Sequence, residues 1–322
     1  MENLQFHFYK CRAKSFKLKN NIKVIFDKTN GINVAAIRVL TPVAVVNETL
    51  SNAGVSYLTV KLMIQSTKNR SNEILSKEIE NIGVDLTCNV DYDVSGVSMF
   101  FLSEYFREAI EILADVVLNP LFDEKELFFE KQNTVAIINS RKDSIGRTAL
   151  DEFAKIFYQN SSYSFPVYGT HETVLKINCW DLIKWHKYSY NAHNIIISVA
   201  GNLSEEVVKE SLERYFSSIP KNLEFRKPFF YIRKRFNTNI KTIKGKFNQA
   251  YMFVGFPAPS ISCRDFVSVE LMNAILGCNR MTSRLFVELR EKLGFAYDVG
   301  SVYPLRRKES YLAIYIGFDK EN

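Results

Sequence analysis

No stretch of this 322-residue chain approaches the roughly 18 consecutive apolar residues of a spanning helix, so the sequence offers no candidate transmembrane segment. Its opening, MENLQFHFYKCRAK, has no apolar core behind its charges as a signal peptide would, and a cytoplasmic location without a membrane partner is expected. Cysteine is scarce: Cys11, Cys88, Cys179, Cys263 and Cys278 are odd in number and contain no C-x-x-C pair, which argues against a disulfide framework and for a reducing compartment. Glycine and proline, 13 and 8, are too few for collagen-like or low-complexity sequence. The four histidines, His7, His171, His186 and His193, include no pair four residues apart, so no helix presents two imidazoles to one metal.

What is present is ordinary for a globular chain: 47% hydrophobic and 24% charged residues, enough for about two domains at roughly 150 residues each. The net charge of +7 is spread over interspersed acids and bases, so no nucleic-acid partner is expected. The densest basic stretch, Arg226-Lys227 and Arg233-Lys234-Arg235 among Phe225, Phe229, Phe230, Tyr231 and Phe236, could stack on a single strand. It is read instead as an interdomain connection with packed aromatics and solvated charges.

Helical and strand periods alternate along the chain, which predicts an α/β or α+β fold rather than a bundle or a sandwich, with α+β the class expected here. Strands are expected over 22–27 and 33–47, then a helix from about Ser51 and another over 72–82 ending at Gly83. Alternation returns over 84–102. Phe106, Ile110, Leu113 and Val117 then mark a helix stopped by Asn119-Pro120. Two helices within 123–158, one around Leu182 to Trp185, a strand over 195–200 and a helix over 205–216 capped by Ser204 complete a first half. The second half predicts strands over 239–244 and 249–256, helices over 265–276 and 282–293, and a strand over 311–318.

The halves echo each other. Glu80-Asn-Ile-Gly83-Val84 and Glu291-Lys-Leu-Gly294-Phe295 both end a helix on glycine and enter strands, which points to an internal duplication with domains 1–220 and 221–322. Compared with the first copy, the second stops after its strand over 311–318, so a C-terminally truncated second domain is expected.

Met281-Thr-Ser-Arg-Leu-Phe-Val-Glu-Leu-Arg290-Glu-Lys-Leu-Gly294-Phe-Ala-Tyr297 is similar to the second-domain signature of the insulinase and pitrilysin family of zinc peptidases, related to the mitochondrial processing peptidase. Gly255-Phe-Pro-Ala-Pro259, Asn273-Ala-Ile-Leu-Gly277, Pro166-Val-Tyr-Gly169-Thr-His-Glu172-Thr and Asn194-Ile-Ile-Ile-Ser-Val-Ala-Gly201 extend the resemblance over most of the chain. It implies two homologous α/β-roll domains, each a sheet flanked by helices.

The family's metal motif is H-x-x-E-H on a helix, with a further Glu from a later helix. Two imidazoles at i and i+4 reach zinc from one face, and the carboxylate takes a proton from the attacking water. Here Tyr57 and Lys61 stand at the histidine positions, Val60 at the base, and Asn139 near the third ligand. An ammonium repels a divalent cation and valine is no base, so no metal or other cofactor is expected in this chain. Thr87-Cys88 also replaces the Asn-Ala that catalytic relatives often carry beside bound peptide.

Arg290 and Tyr297 do match. In the family such a pair reaches from the second domain to the zinc site and contacts peptide, and in certain bacterial members one subunit bears zinc while its partner bears only the Arg and Tyr. The resemblance thus implies a non-zinc subunit of a heterodimer that helps enclose peptide and supplies Arg290 and Tyr297 in trans to a zinc-bearing partner of the same family. Taken by themselves, Arg290 could be a cation at a helix C-terminus and Tyr297 an ordinary strand aromatic. The alternative function is a catalytically inactive homologue acting as a structural or peptide-binding subunit.

Overall fold

The computed structural model describes residues 13–159, 161–220 and 240–319, apart from the Arg280 side chain. His7, Cys11 and the basic aromatic stretch around 225–236 lie outside the described residues.

In chain order the elements begin with β1 (Lys14–Lys17), β2 (Lys23–Lys28), β3 (Val34–Thr41), α1 (Val55–Met63), α2 (Asn72–Asn81), β4 (Asp85–Val90) and β5 (Ser95–Leu102). They continue through α3 (Phe106–Leu118), α4 (Glu124–Asp143), α5 (Ile145–Phe157), α6 (His171–Lys176), α7 (Cys179–Ser189), β6 (Ile196–Gly201) and α8 (Glu205–Phe216). The last are β7 (Gln249–Ala258), α9 (Phe266–Asn273), β8 (Asp298–Val302) and β9 (Ser310–Asp319). This is an α+β architecture, one of the two classes that the alternating periods allow.

The described residues fall into two compact units. One lies within Met1–Ala44, Val55–Glu130 and Ile177–Arg226; the other lies within Val45–Gly54, Lys131–Lys176 and Lys227–Asn322. The first holds a six-stranded sheet in the order β1-β2-β6-β3-β5-β4, antiparallel except for β2 beside β6. Strand alternation decides its faces: Ala35, Ile37, Val39 and Thr41 are buried, while the intervening residues of β3 point the other way. Helix α3 buries Phe106, Ile110, Leu113 and Val117, the three- and four-residue row read from the sequence. Each such side chain removes apolar surface worth about 1.5–3 kcal/mol. At the sheet's edge lies β4, which pairs only with β5 among the described strands.

Local chemistry sets several helix ends. Ser204 accepts from the Val207 amide, with Glu205 and Glu206 in the first turn of α8, as the sequence predicts. At α7 the Asn178 side chain accepts from the Asp181 amide at 3.1 Å, and the Asp181 carboxylate accepts from the Asn178 amide at 3.0 Å, a reciprocal capping box. Asn178→Ala should therefore cost about 1 kcal/mol, read as a lower urea midpoint at unchanged m value.

The second unit holds a three-stranded antiparallel sheet, β7-β9-β8. Helix α5 packs on it: the Phe153 ring stacks on Phe253 at 5.5 Å and meets Tyr311 edge-on at 5.0 Å. Four expectations need correction. The strand expected over 33–47 ends at Thr41, before Pro42, and Val45–Asn47 forms a 3-10 turn. Residues 240–244, described to the end of the strand expected over 239–244, form no regular element, although Ile240 and Ile243 look β-competent. They are exposed and have no partner strand among the described residues, and β propensity alone does not make a strand. The helix expected over 265–276 starts at Phe266 and passes into π-helical hydrogen bonding over Ala274–Cys278. That expected over 282–293 is π-helical over Phe286–Lys292. Period-based reading does not distinguish the wider turn.

Candidate functional site

Two places answer to the site residues read from the sequence, one in each unit. In the first unit Tyr57, Val60 and Lys61 lie on α1. The four-residue step puts Tyr57 and Lys61 on one face, and the Lys61 ammonium lies 5.8 Å from the centre of the Tyr57 ring. Val60 is 1% exposed and packs in the core. Across from α1, on β4, burial pushes the Cys88 thiol up; the Lys61 ammonium opposes that shift and the Glu130 carboxylate adds to it. The phenol, alkyl and ammonium groups of α1 do not fit zinc, which needs neutral imidazole, thiolate or carboxylate donors. Among the described residues no group of three or more His, Cys, Asp or Glu side chains is placed to hold a metal ion. Asn139 lies exposed on the part of α4 that belongs to the second unit.

The histidines of the first unit have other partners. His186 is half-buried, its Nε2 donates to the Val117 carbonyl at 2.8 Å, and its ring stacks on Tyr190 at 5.1 Å. Burial lowers its pKa to about 4, so it stays neutral. His193 is exposed, and so is His171 in the second unit.

In the second unit Arg290 sits on the π-helix Phe286–Lys292, exposed, with its guanidinium carbon 5.1 Å from the centre of the Phe286 ring. This helix ends where Phe295 N–H donates to the Leu289 carbonyl and Gly294 adopts φ +67°, the left-handed geometry that suits glycine. Gly83 has φ +62° at the matching point of the first unit. The chain then runs to Tyr297 immediately before β8, whose N–H donates to the Gly317 carbonyl at 3.1 Å. Tyr297 is 41% exposed. Partial burial, with the neighbouring Asp298 carboxylate, raises its pKa and keeps the phenol protonated. An exposed guanidinium and an exposed neutral phenol are both hydrogen-bond donors, able to hold carbonyl oxygens or developing oxyanions.

Sequence comparison decides the family. Residues 23–171 match the family described as insulinase (peptidase family M16), and residues 176–322 match the one described as peptidase M16 inactive domain. The chain belongs to the insulinase family. Among insulinase-family relatives, an uncharacterized zinc protease of Bacillus subtilis, YmxG, is 27% identical over 307 residues, spanning 94% of this chain and 73% of the relative. A peptidase M16 inactive domain from Pseudomonas fluorescens has the same fold, with a TM-score of 0.89 at 22% identity over 96% of this chain and 75% of its own. A more distant likeness, 23% over 258 residues, is to the cytochrome b-c1 complex subunit 1 of Rattus norvegicus, covering 77% of this chain and 54% of that one. This insulinase-family chain therefore lacks its family's zinc motif while keeping the second-domain signature.

Sequence reading did not single out Tyr251, Asp298 or Gly317, which surround Tyr297, nor Glu130 beside Cys88. The one available signal was Gly317 inside a strand of β-branched and aromatic residues, since an interior strand glycine often marks close approach by another group.

Proposed function

We propose that the chain is the non-zinc subunit of an insulinase-family metallopeptidase. In this reading it helps enclose a peptide and supplies Arg290 and Tyr297 to the zinc site of a partner chain of the same family. The observation that carries the reading is the contrast between its two halves. At the zinc positions α1 presents Tyr57, Val60 and Lys61, whereas the second-unit signature keeps Arg290 and Tyr297 exposed, the phenol protonated.

Each group has a chemical task. The Arg290 guanidinium can hold a peptide carbonyl by its fixed fork of donors. The Tyr297 phenol can donate to the carbonyl oxygen as it gains charge during attack by water, which the partner's zinc would activate. Main-chain hydrogen bonds to a sheet edge such as β4 would bind extended peptide with little side-chain selectivity.

The test is peptide cleavage by this chain, by a zinc-bearing insulinase-family chain from the same source, and by their mixture, with zinc measured in each. Activity confined to the mixture, with zinc confined to the partner, is the expected result. Stoichiometric zinc and activity in this chain alone would overturn it. The likeness to a cytochrome b-c1 complex subunit favours the second reading, a catalytically inactive structural or peptide-binding subunit; a mixture that binds peptide but gains no activity over the zinc-bearing chain would select it.

A further inference from the structure

The sheet of the second unit has a row in which the middle residue is missing its side chain. Gly317 on β9 is the cross-strand partner of both Tyr251 on β7 and Asp298 on β8, so all three share one face. The Tyr251 hydroxyl donates to the Asp298 carboxylate across the bare backbone of β9. A Cβ at residue 317 would lie 2.8 Å from Tyr251 Cε2, 2.8 Å from Tyr297 Cζ and 2.9 Å from Tyr297 Oη, closer than real Cβ atoms come to such groups. Two phenols therefore rest on one glycine. Gly317 has no left-handed φ, so the requirement for glycine here is one of space rather than of backbone conformation.

Tyr297 is consequently not an aromatic loose at a strand start. Its N–H is tied to the Gly317 carbonyl and its ring lies over the same residue. The charged and titratable groups about it are Asp298, next in the chain, and Tyr251, which in turn stacks on Tyr315 at 6.1 Å and 13°.

We propose that Gly317, Tyr251 and Asp298 are positioning residues for Tyr297: the glycine is the floor on which the phenol ring lies, and the Tyr251–Asp298 hydrogen bond fixes a carboxylate beside it. This rests on the reading that Tyr297 serves a partner's site. Two consequences follow physically. The floor restricts the rotamers of an otherwise half-exposed side chain, so the hydroxyl is aimed before peptide arrives. The fixed carboxylate disfavours a second negative charge beside it, so the phenol keeps the proton that it must donate.

The test uses Asp298→Asn and Gly317→Ala in the full chain, each compared with the same variant carrying Tyr297→Phe. The difference in ultraviolet phenolate absorbance isolates Tyr297 from the other tyrosines of the 16 in the chain. Asp298→Asn is nearly isosteric and should move the Tyr297 ionisation to lower pH. Gly317→Ala should also displace that ionisation from its wild-type position. With the zinc-bearing chain it should lower kcat on the order of tenfold to a hundredfold while KM changes little. Ionisation at the wild-type pH in both variants would overturn the proposal, even if Tyr297→Phe itself is slow. If instead Tyr297→Phe leaves turnover unchanged while both ionisations shift, the positioning stands and the catalytic reading of Tyr297 falls. Should Gly317→Ala fail to fold, the Asp298→Asn titration decides alone.

Discussion

On the proposed divided site, Tyr297→Phe should lower the turnover of this chain mixed with its zinc-bearing partner on the order of 10²–10³-fold, with KM for peptide nearly unchanged. The substitution removes one hydroxyl and leaves the ring on Gly317, so a loss confined to kcat would report a hydrogen bond made in the transition state rather than in peptide binding. Arg290→Ala should differ in kind, because a guanidinium that holds a ground-state carbonyl contributes to KM as well as to turnover. The pH dependence follows from the phenol. Tyr297 is held above the ordinary tyrosine range by partial burial and by Asp298, so its donor function should persist through neutral and mildly alkaline pH and be lost only as the phenol ionises. Single-turnover cleavage by the mixture measures the effect, and equal rates for wild type and Tyr297→Phe would remove the residue from the mechanism.

Arg70→Met should destabilise the first unit by about 3–5 kcal/mol, the usual cost of leaving a buried charge without its partner. Arg70 donates to Glu78 at 2.7 Å, to Glu111 at 3.0 Å and to Asp115 at 2.8 Å. The Asp115 side chain is 5% exposed and also accepts from Thr67, Asn69 and Asn119. The two glutamates are substantially exposed and contribute little, so the loss is concentrated on Asp115. Burial disfavours the Asp115 charge, but hydrogen bonds from Thr67, Asn119, Arg70 and Asn69 together outweigh it and hold the carboxyl below its ordinary range. A carboxylate depressed in the folded state contributes stability above its unfolded pKa, roughly 3.9, and loses it as pH falls through the folded value. Urea unfolding of wild type and variant across that acid range measures both effects. A loss below about 1 kcal/mol would show that the neutral donors satisfy Asp115 without the arginine.

Much of the fold was legible because local rules sufficed. The row Phe106, Ile110, Leu113, Val117 placed α3, Ser204 with its glutamates placed the start of α8, and the two glycine-ended helices announced the relation between the halves. The strand read at 239–244 failed over its described part for the complementary reason: a strand needs a neighbour, and residues 240–244 have none among the described strands. The π-helical turns around Arg290 escaped because a hydrophobic period of three and four residues does not encode which carbonyl each amide selects.

The sequence by itself determined the family, through motifs in continuous stretches, and the chemistry missing from α1, because the identity of Tyr57, Val60 and Lys61 needs no coordinates. Only the tertiary structure decided that Cys88 on β4 lies within reach of Lys61 on α1, and that Tyr297 rests on Gly317 beside a Tyr251–Asp298 hydrogen bond. Those relations join residues far apart in the chain. They are fixed by strand register, which a one-residue slip would move to the opposite face of the sheet, and no local pattern of residues carries that information.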